Sequence, residues 1–137
     1  LDMLSNMRLC SNVPAQSIVQ TALWGHQSVK SYVVPEGRVC KQRDFVYEAL
    51  NAIPGVSAVK PKAAFYIFPH LDPDMYNIHD DEQFALDFLK QEKVLIVPGS
   101  GFNYHPPGYF RVVYLPRRAE LREAMEKLER FLSTYRQ

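Results

Sequence analysis

The chain has 137 residues, 47% hydrophobic and 23% charged, with eight Tyr and eight Phe, enough for one globular core and too little for two comfortable domains. Its net charge is +1 with acids and bases interspersed, which argues against a nucleic-acid or membrane-surface footprint, and no apolar run approaches the roughly 20 residues that span a bilayer. Residues 1–10 have no signal-peptide layout, and a start in mid-pattern without Met suggests a piece of a longer chain.

In chain order, the first periodic segment is "SNVPAQSIVQTALWG". Ser11 or Asn12 can cap a helix, Pro14 suits its first turn, and Ala15, Ile18, Val19, Ala22 and Leu23 form one stripe before Gly25. Residues 26–37 are a less regular joint ending at Pro35 and Gly37, in which Lys30 reads as a solvated helix residue. From Arg38 a second helix places Val39, Gln42, Val46, Ala49, Leu50 and Ile53 on one face, until "IPG" stops it.

"VSAV" and "AFYIF" read as two short strands joined by a tight "KPK" turn, with Phe65, Tyr66, Ile67 and Phe68 as core on both sides of a sheet. "DPDMYNIHDD" reads as a polar connection. Asp80 then caps a helix with Gln83 three residues on, and Phe84, Ala85, Phe88 and Leu89 are its buried face. "KVLIVP" is expected as a strand, "GSGFNYHPPG" as a long irregular loop, and "YFRVVYLP" as the last strand. Leu121, Ala124, Met125, Leu128, Phe131 and Leu132 fall at helical spacing and define the final helix. Hairpin-linked strands with helices between them predict an α+β fold: a small, mostly antiparallel sheet with helices on one face.

Arg111 is the residue that does not suit its strand. Tyr109, Arg111 and Val113 share one face, Phe110, Val112 and Tyr114 the other, and residues 109–116 contain no acid. Such an arginine either snorkels or pairs with a distant acid, or it is a fixed guanidinium fork awaiting a ligand carboxylate. The Gly-rich residues 98–103 lack the spacing of a phosphate cradle and read as a mobile loop beside a site. His26, His70, His79 and His105 show no paired metal spacing, and no metal site is expected. Cys10 and Cys40 read as two reduced cytosolic thiols; a disulfide between them stays open, although a chain of this size needs no staple.

Four stretches, taken in order, resemble the C-terminal part of a class I/II, fold-type-I aminotransferase dependent on pyridoxal phosphate. "SNVPAQ" is similar to the family's Ser-Asn-x-Pro-x-Gln, "PKAAFYIFP" to its Pro-x-(Gly/Ala)-(Gly/Ala)-hydrophobic-Tyr strand, "VLIVPGSGF" to its Val-x-x-x-Pro-Gly-x-x-Phe segment, and "FRVVYLP" to its Phe-Arg-hydrophobic strand. The wording is most similar to the bacterial glutamate–pyruvate (alanine) branch. The resemblance implies that residues 1–34 end the large domain and connect it to a small domain over residues 35–137. It also implies that Arg111 binds the substrate α-carboxylate, and that Ser11 and Asn12 approach the partner subunit's site in a homodimer.

The family's Schiff-base lysine lies in a Ser-x-Ser-Lys segment upstream of this stretch, and Lys30 lacks that context. The resemblance therefore implies a cytoplasmic ping-pong transaminase of alanine, glutamate and their 2-oxo acids as the complete chain. These 137 residues would supply carboxylate binding and neither hold pyridoxal phosphate nor transaminate alone. At the position where aspartate-type relatives carry an arginine for a distal carboxylate stands Met7, with Arg8 one step out of register. The other reading is a free-standing, non-catalytic α+β domain that senses an amino acid through Arg111.

Overall fold

A computed structural model describes residues 12–137. Helix α1 (Val13–Trp24) begins at Asn12, whose side chain accepts a hydrogen bond from the Ala15 N–H at 3.3 Å, with Pro14 in the first turn. No side chain of α1 is buried. A four-residue helix, α2 (Lys30–Val33), stands within the joint, with Lys30 exposed as expected.

Helix α3 (Arg38–Ala52) buries Gln42, Val46 and Leu50, which recur at intervals of four along one face. The buried Gln42 amide donates to the carbonyls of Leu115 and Pro116, tying this helix to the end of the last strand. The chain leaves α3 through Gly55, whose φ of +72° and close approach to Met75 and Tyr76 leave no room for a Cβ. Helix α5 (Asp81–Glu92) is capped by the Asp80 side chain on the Gln83 N–H at 3.0 Å, as the capping pattern predicts. Its buried stripe is Asp81, Phe84, Ala85 and Phe88; Leu89, expected inside, lies at the stripe's edge and remains at the surface. Helix α6 (Arg118–Thr134) buries Leu121, Met125, Leu128, Phe131 and Leu132.

Among the described residues five short strands form antiparallel sheets, so the fold class is α+β as expected. They are β1 (Val56–Ser57), β2 (Tyr66–Ile67), β3 (His70–Leu71), β4 (Val97–Pro98) and β5 (Phe110–Val113). The predicted hairpin between "VSAV" and "AFYIF" does not form. β1 pairs with β3 through Val56–Leu71, and β2 pairs with β5 through Tyr66–Val113 and Ile67–Val112. Ala64 explains part of the difference. Its left-handed φ of 58°, costing a non-glycine residue about 1 kcal/mol, turns the chain just before β2, and the Tyr114 hydroxyl holds its carbonyl at 3.0 Å.

β5 is the central strand of the three-stranded sheet, with β2 on one side and β4 on the other. The segment read as a polar connection, which follows β3, contains the short helix α4 (Pro73–Tyr76) and two buried side chains, Tyr76 and Ile78. The Tyr76 hydroxyl donates to the Pro54 carbonyl, which accounts for a phenol in the core. Ile67, Phe110, Val112 and Tyr114 join the inner side chains of α3, α5 and α6 in one apolar cluster. The aromatic run 65–68 is therefore core on one side only. Ile67 is buried, whereas Phe65 and Tyr66 are exposed and Phe68 is half-buried on the outer face.

Candidate functional site

The alternation read from the last strand holds. Phe110, Val112 and Tyr114 point into the core, while Tyr109, Arg111 and Val113 are half-buried on the outer face. The pairing of β2 with β5 sets Tyr66 beside this row, and the pairing of Val97 with Arg111 brings β4 to its other flank. A bridge between His70 and Tyr109 extends the same face toward β3.

The loop after β4 is better ordered than its composition suggests. Gly99–Phe102 forms a single turn of 3-10 helix that ends at Asn103 in the left-handed conformation. The turn folds Phe102 and Tyr104 over the outer face. Phe68 sits at the centre of an aromatic group, with ring centroids 6.3 Å from Phe102, 5.7 Å from Tyr104 and 5.5 Å from Tyr109. The His70 ring lies 4.2 Å from that of Tyr109. Burial, and then a hydrogen bond with Tyr104, push the Tyr109 hydroxyl above its ordinary range.

Arg111 is the cation of this aromatic surface. Its guanidinium carbon lies 4.6 Å from the Tyr66 ring centroid and 4.4 Å from that of Phe102. Nε is buried without a hydrogen-bond partner, and among the described residues no carboxylate forms an ion pair with the group. A guanidinium held by rings rather than by an acid keeps its planar donor fork for something else. A planar anion, a carboxylate above all, matches that fork through two parallel hydrogen bonds.

The other positions singled out from sequence lie elsewhere. Asn12 is exposed and occupied in capping α1, and Ser11 and Cys10 lie outside the described residues. Cys40 is a free thiol at 3.2 Å from an Arg43 nitrogen. Among the described residues no three metal-ligating side chains come together, and no helix is long and apolar enough to cross a membrane. A cavity of about 300 Å3 between β4, β5 and α6 is lined almost wholly by apolar side chains such as Leu95, Val112, Met125 and Leu128. Arg111 also lines it, whereas Tyr66 and Phe102, the two rings on its guanidinium, do not. Sequence reasoning missed Tyr66 and Phe102 as partners of Arg111; the only signal available was that Phe102 lies in the loop read as standing beside a site.

The description "Aminotransferase class I and II" matches residues 3–128. Over all 137 residues the chain is 53% identical to the glutamate–pyruvate aminotransferase AlaA of Haemophilus influenzae. Over the same span it is 53% identical to an alanine aminotransferase of Mycobacterium bovis. It spans about a third of the length of these relatives, 34% and 32%. A crystal structure of an aminotransferase from Escherichia coli superposes on 99% of the chain with a TM-score of 0.91 at 51% identity, the chain covering 34% of that protein. An alanine aminotransferase from Pyrococcus furiosus superposes on 96% with a TM-score of 0.83 at 41% identity, with 33% of its length covered.

Proposed function

The chain belongs to the class I and II aminotransferases, and from that membership we propose that it is the C-terminal part of a pyridoxal-phosphate-dependent enzyme. That enzyme moves an amino group between an amino acid and a 2-oxo acid, with alanine and glutamate as donors and pyruvate and 2-oxoglutarate as acceptors. The relatives' names support this substrate class. On this reading residues 35–137 are the small domain, residues 1–34 close the large domain, and the enzyme is a cytoplasmic homodimer serving alanine synthesis. Ser11 and Asn12 then reach toward the partner subunit's site.

The observation that carries the reading is the Arg111 fork, with its buried, unpartnered Nε and, among the described residues, no ion-paired acid. Arg111 binds the substrate α-carboxylate and, by fixing it at two points, sets the direction of the Cα–H bond. Tyr66 and Phe102 shield the fork from water, which strengthens its hold on an anion. Pyridoxal phosphate, when bound, supplies an electron sink. The residues around Arg111 do not fit that cofactor: Tyr66, Phe68, His70, Phe102, Tyr104 and Tyr109 offer neither an amine to condense with it nor a carboxylate for its ring nitrogen. Its anchoring belongs to the rest of the enzyme, and the 137-residue chain alone neither binds it nor transaminates.

The test is steady-state kinetics of the full-length enzyme with alanine and 2-oxoglutarate. Losing a hydrogen-bonded charge partner in a desolvated site costs 2–5 kcal/mol, so Arg111→Ala should lower kcat/KM by roughly 30-fold to several thousand-fold. Arg111→Lys, which keeps the charge without the fork, should fall between. If Arg111→Ala leaves kcat/KM within about twofold and lowers the melting temperature sharply, Arg111 is a structural residue and the assignment fails.

A further inference from the structure

Asp81 is a buried carboxylate that the proposed chemistry does not use. It occupies the first turn of α5, next to the cap residue Asp80, but turns inward and is only 7% exposed. A carboxylate so placed needs donors. One comes from outside its helix: the backbone N–H of Ser100 donates to Asp81 Oδ2 at 3.0 Å. Ser100 belongs to the 3-10 turn Gly99–Phe102, and the turn sits so close to Asp81 that a Cβ on Gly99 would lie 3.3 Å from the same oxygen. Two residues beyond the bonded N–H, the turn delivers the Phe102 ring to the Arg111 guanidinium at 4.4 Å.

These contacts form one chain: α5, the Asp81 carboxylate, the Ser100 N–H, the Phe102 ring, the Arg111 fork. We infer that Asp81 is a positioning residue for carboxylate binding, fixing the Gly99–Phe102 turn so that Phe102 and Tyr66 clamp the Arg111 guanidinium between them. This rests on the reading of Arg111 as the carboxylate site. With no ion-paired acid among the described residues, the guanidinium keeps its orientation through the two rings. One ring stands on a sheet strand, whereas the other stands on a loop that needs an anchor. A cation held against an aromatic face gains 0.5–1 kcal/mol at partly exposed sites, so loosening the anchor weakens substrate capture several-fold without abolishing it.

The experiment is a double-mutant cycle in the full-length enzyme, reading KM for alanine against kcat, with thermal melts alongside. Phe102→Leu removes the ring from an exposed position. It should raise KM about 2- to 5-fold with a smaller change in kcat. Asp81→Ala should do the same, and Asp81→Asn, which keeps an oxygen to accept the Ser100 N–H, should restore KM to within about twofold of the parent. The double variant Asp81→Ala/Phe102→Leu should be no worse in KM than the worse single, because both changes act on one ring. Additive effects in the double variant would overturn the inference, as would a KM unmoved by Phe102→Leu, which decides the matter even if Asp81→Ala does not fold. The two readings fail separately. An Arg111→Ala variant of normal kcat/KM removes the carboxylate site itself, whereas a damaged Arg111→Ala with an additive cycle removes only the role of Asp81.

Discussion

Helix α1 carries Ile18, Val19 and Leu23 at helical spacing, and helix α6 carries Leu121, Met125 and Leu128 at the same spacing. Ile18 is 61% exposed and Leu23 64%, whereas Leu128 is 1% exposed. Periodicity alone reads both as amphipathic helices with a face to bury. Among the described residues α6 packs against α3 and α5 and is covered, whereas no side chain of α1 is buried. The comparison separates two things an apolar stripe encodes: that a surface wants covering, and which surface covers it. The second is not local. Stability in the compact region follows from its own contacts, whereas that of α1 depends on what is placed against it.

The sharpest way to break this contrast is truncation in α6. Leu128→Ala should cost 2–5 kcal/mol, read as a fall in the denaturant midpoint at constant slope, because a fully buried side chain leaves a cavity. An intermediate case is the surface charge cluster where α3 meets the segment after β1. Lys60 at 2.9 Å, opposed in part by desolvation, and then Arg43 at 2.7 Å hold the Asp44 carboxyl below its ordinary range. A depressed folded-state value means stabilisation that is present above the ordinary carboxylate pKa of about 3.9 and lost as pH falls through the lower folded value. The side chain is about one-third exposed, so Asp44→Asn should cost less than about 1 kcal/mol at pH 7, with the deficit shrinking below about pH 4 and in high salt. The smallest effect belongs to α1. Leu23→Ala should change the stability of the isolated chain by no more than about 0.5 kcal/mol. The same change in a longer enzyme that covers this face should cost about 2 kcal/mol or more by denaturation. Equal costs in both settings would show that the stripe is a surface feature.

Long repeats were the legible part of the fold. The faces of α3, α5 and α6, the caps at Asn12 and Asp80, and the two faces of the last strand all follow from spacing and cap chemistry. Strand pairing was not legible, because two-residue strands carry too little pattern to name a partner. β1 bypasses the neighbouring β2 for β3, and β2 waits for β5. The exposed Phe65 and Tyr66 were read as core, since hydrophobicity does not distinguish a packed face from one that lines a site. Arg111 was legible as an anomaly, a charge in an apolar strand without an acid. Its clamp was not: nothing in sequence brings Phe102 across to it or joins Asp81 to the Gly99–Phe102 turn.

The central place of β5 in its sheet also bears on the order in which this chain can be assembled during synthesis. β5 is the last of the described strands, yet β2 and β4 both pair with it and with no other strand of that sheet. Until residues 110–113 emerge, the two earlier strands are open edges with unpaired backbone groups, and the side chains of Phe110, Val112 and Tyr114 are missing from the core. The nascent sheet therefore stays open from the synthesis of β2 until β5 has emerged. A ribosome that stalls in the 99–109 loop holds β2 and β4 without the strand that pairs them.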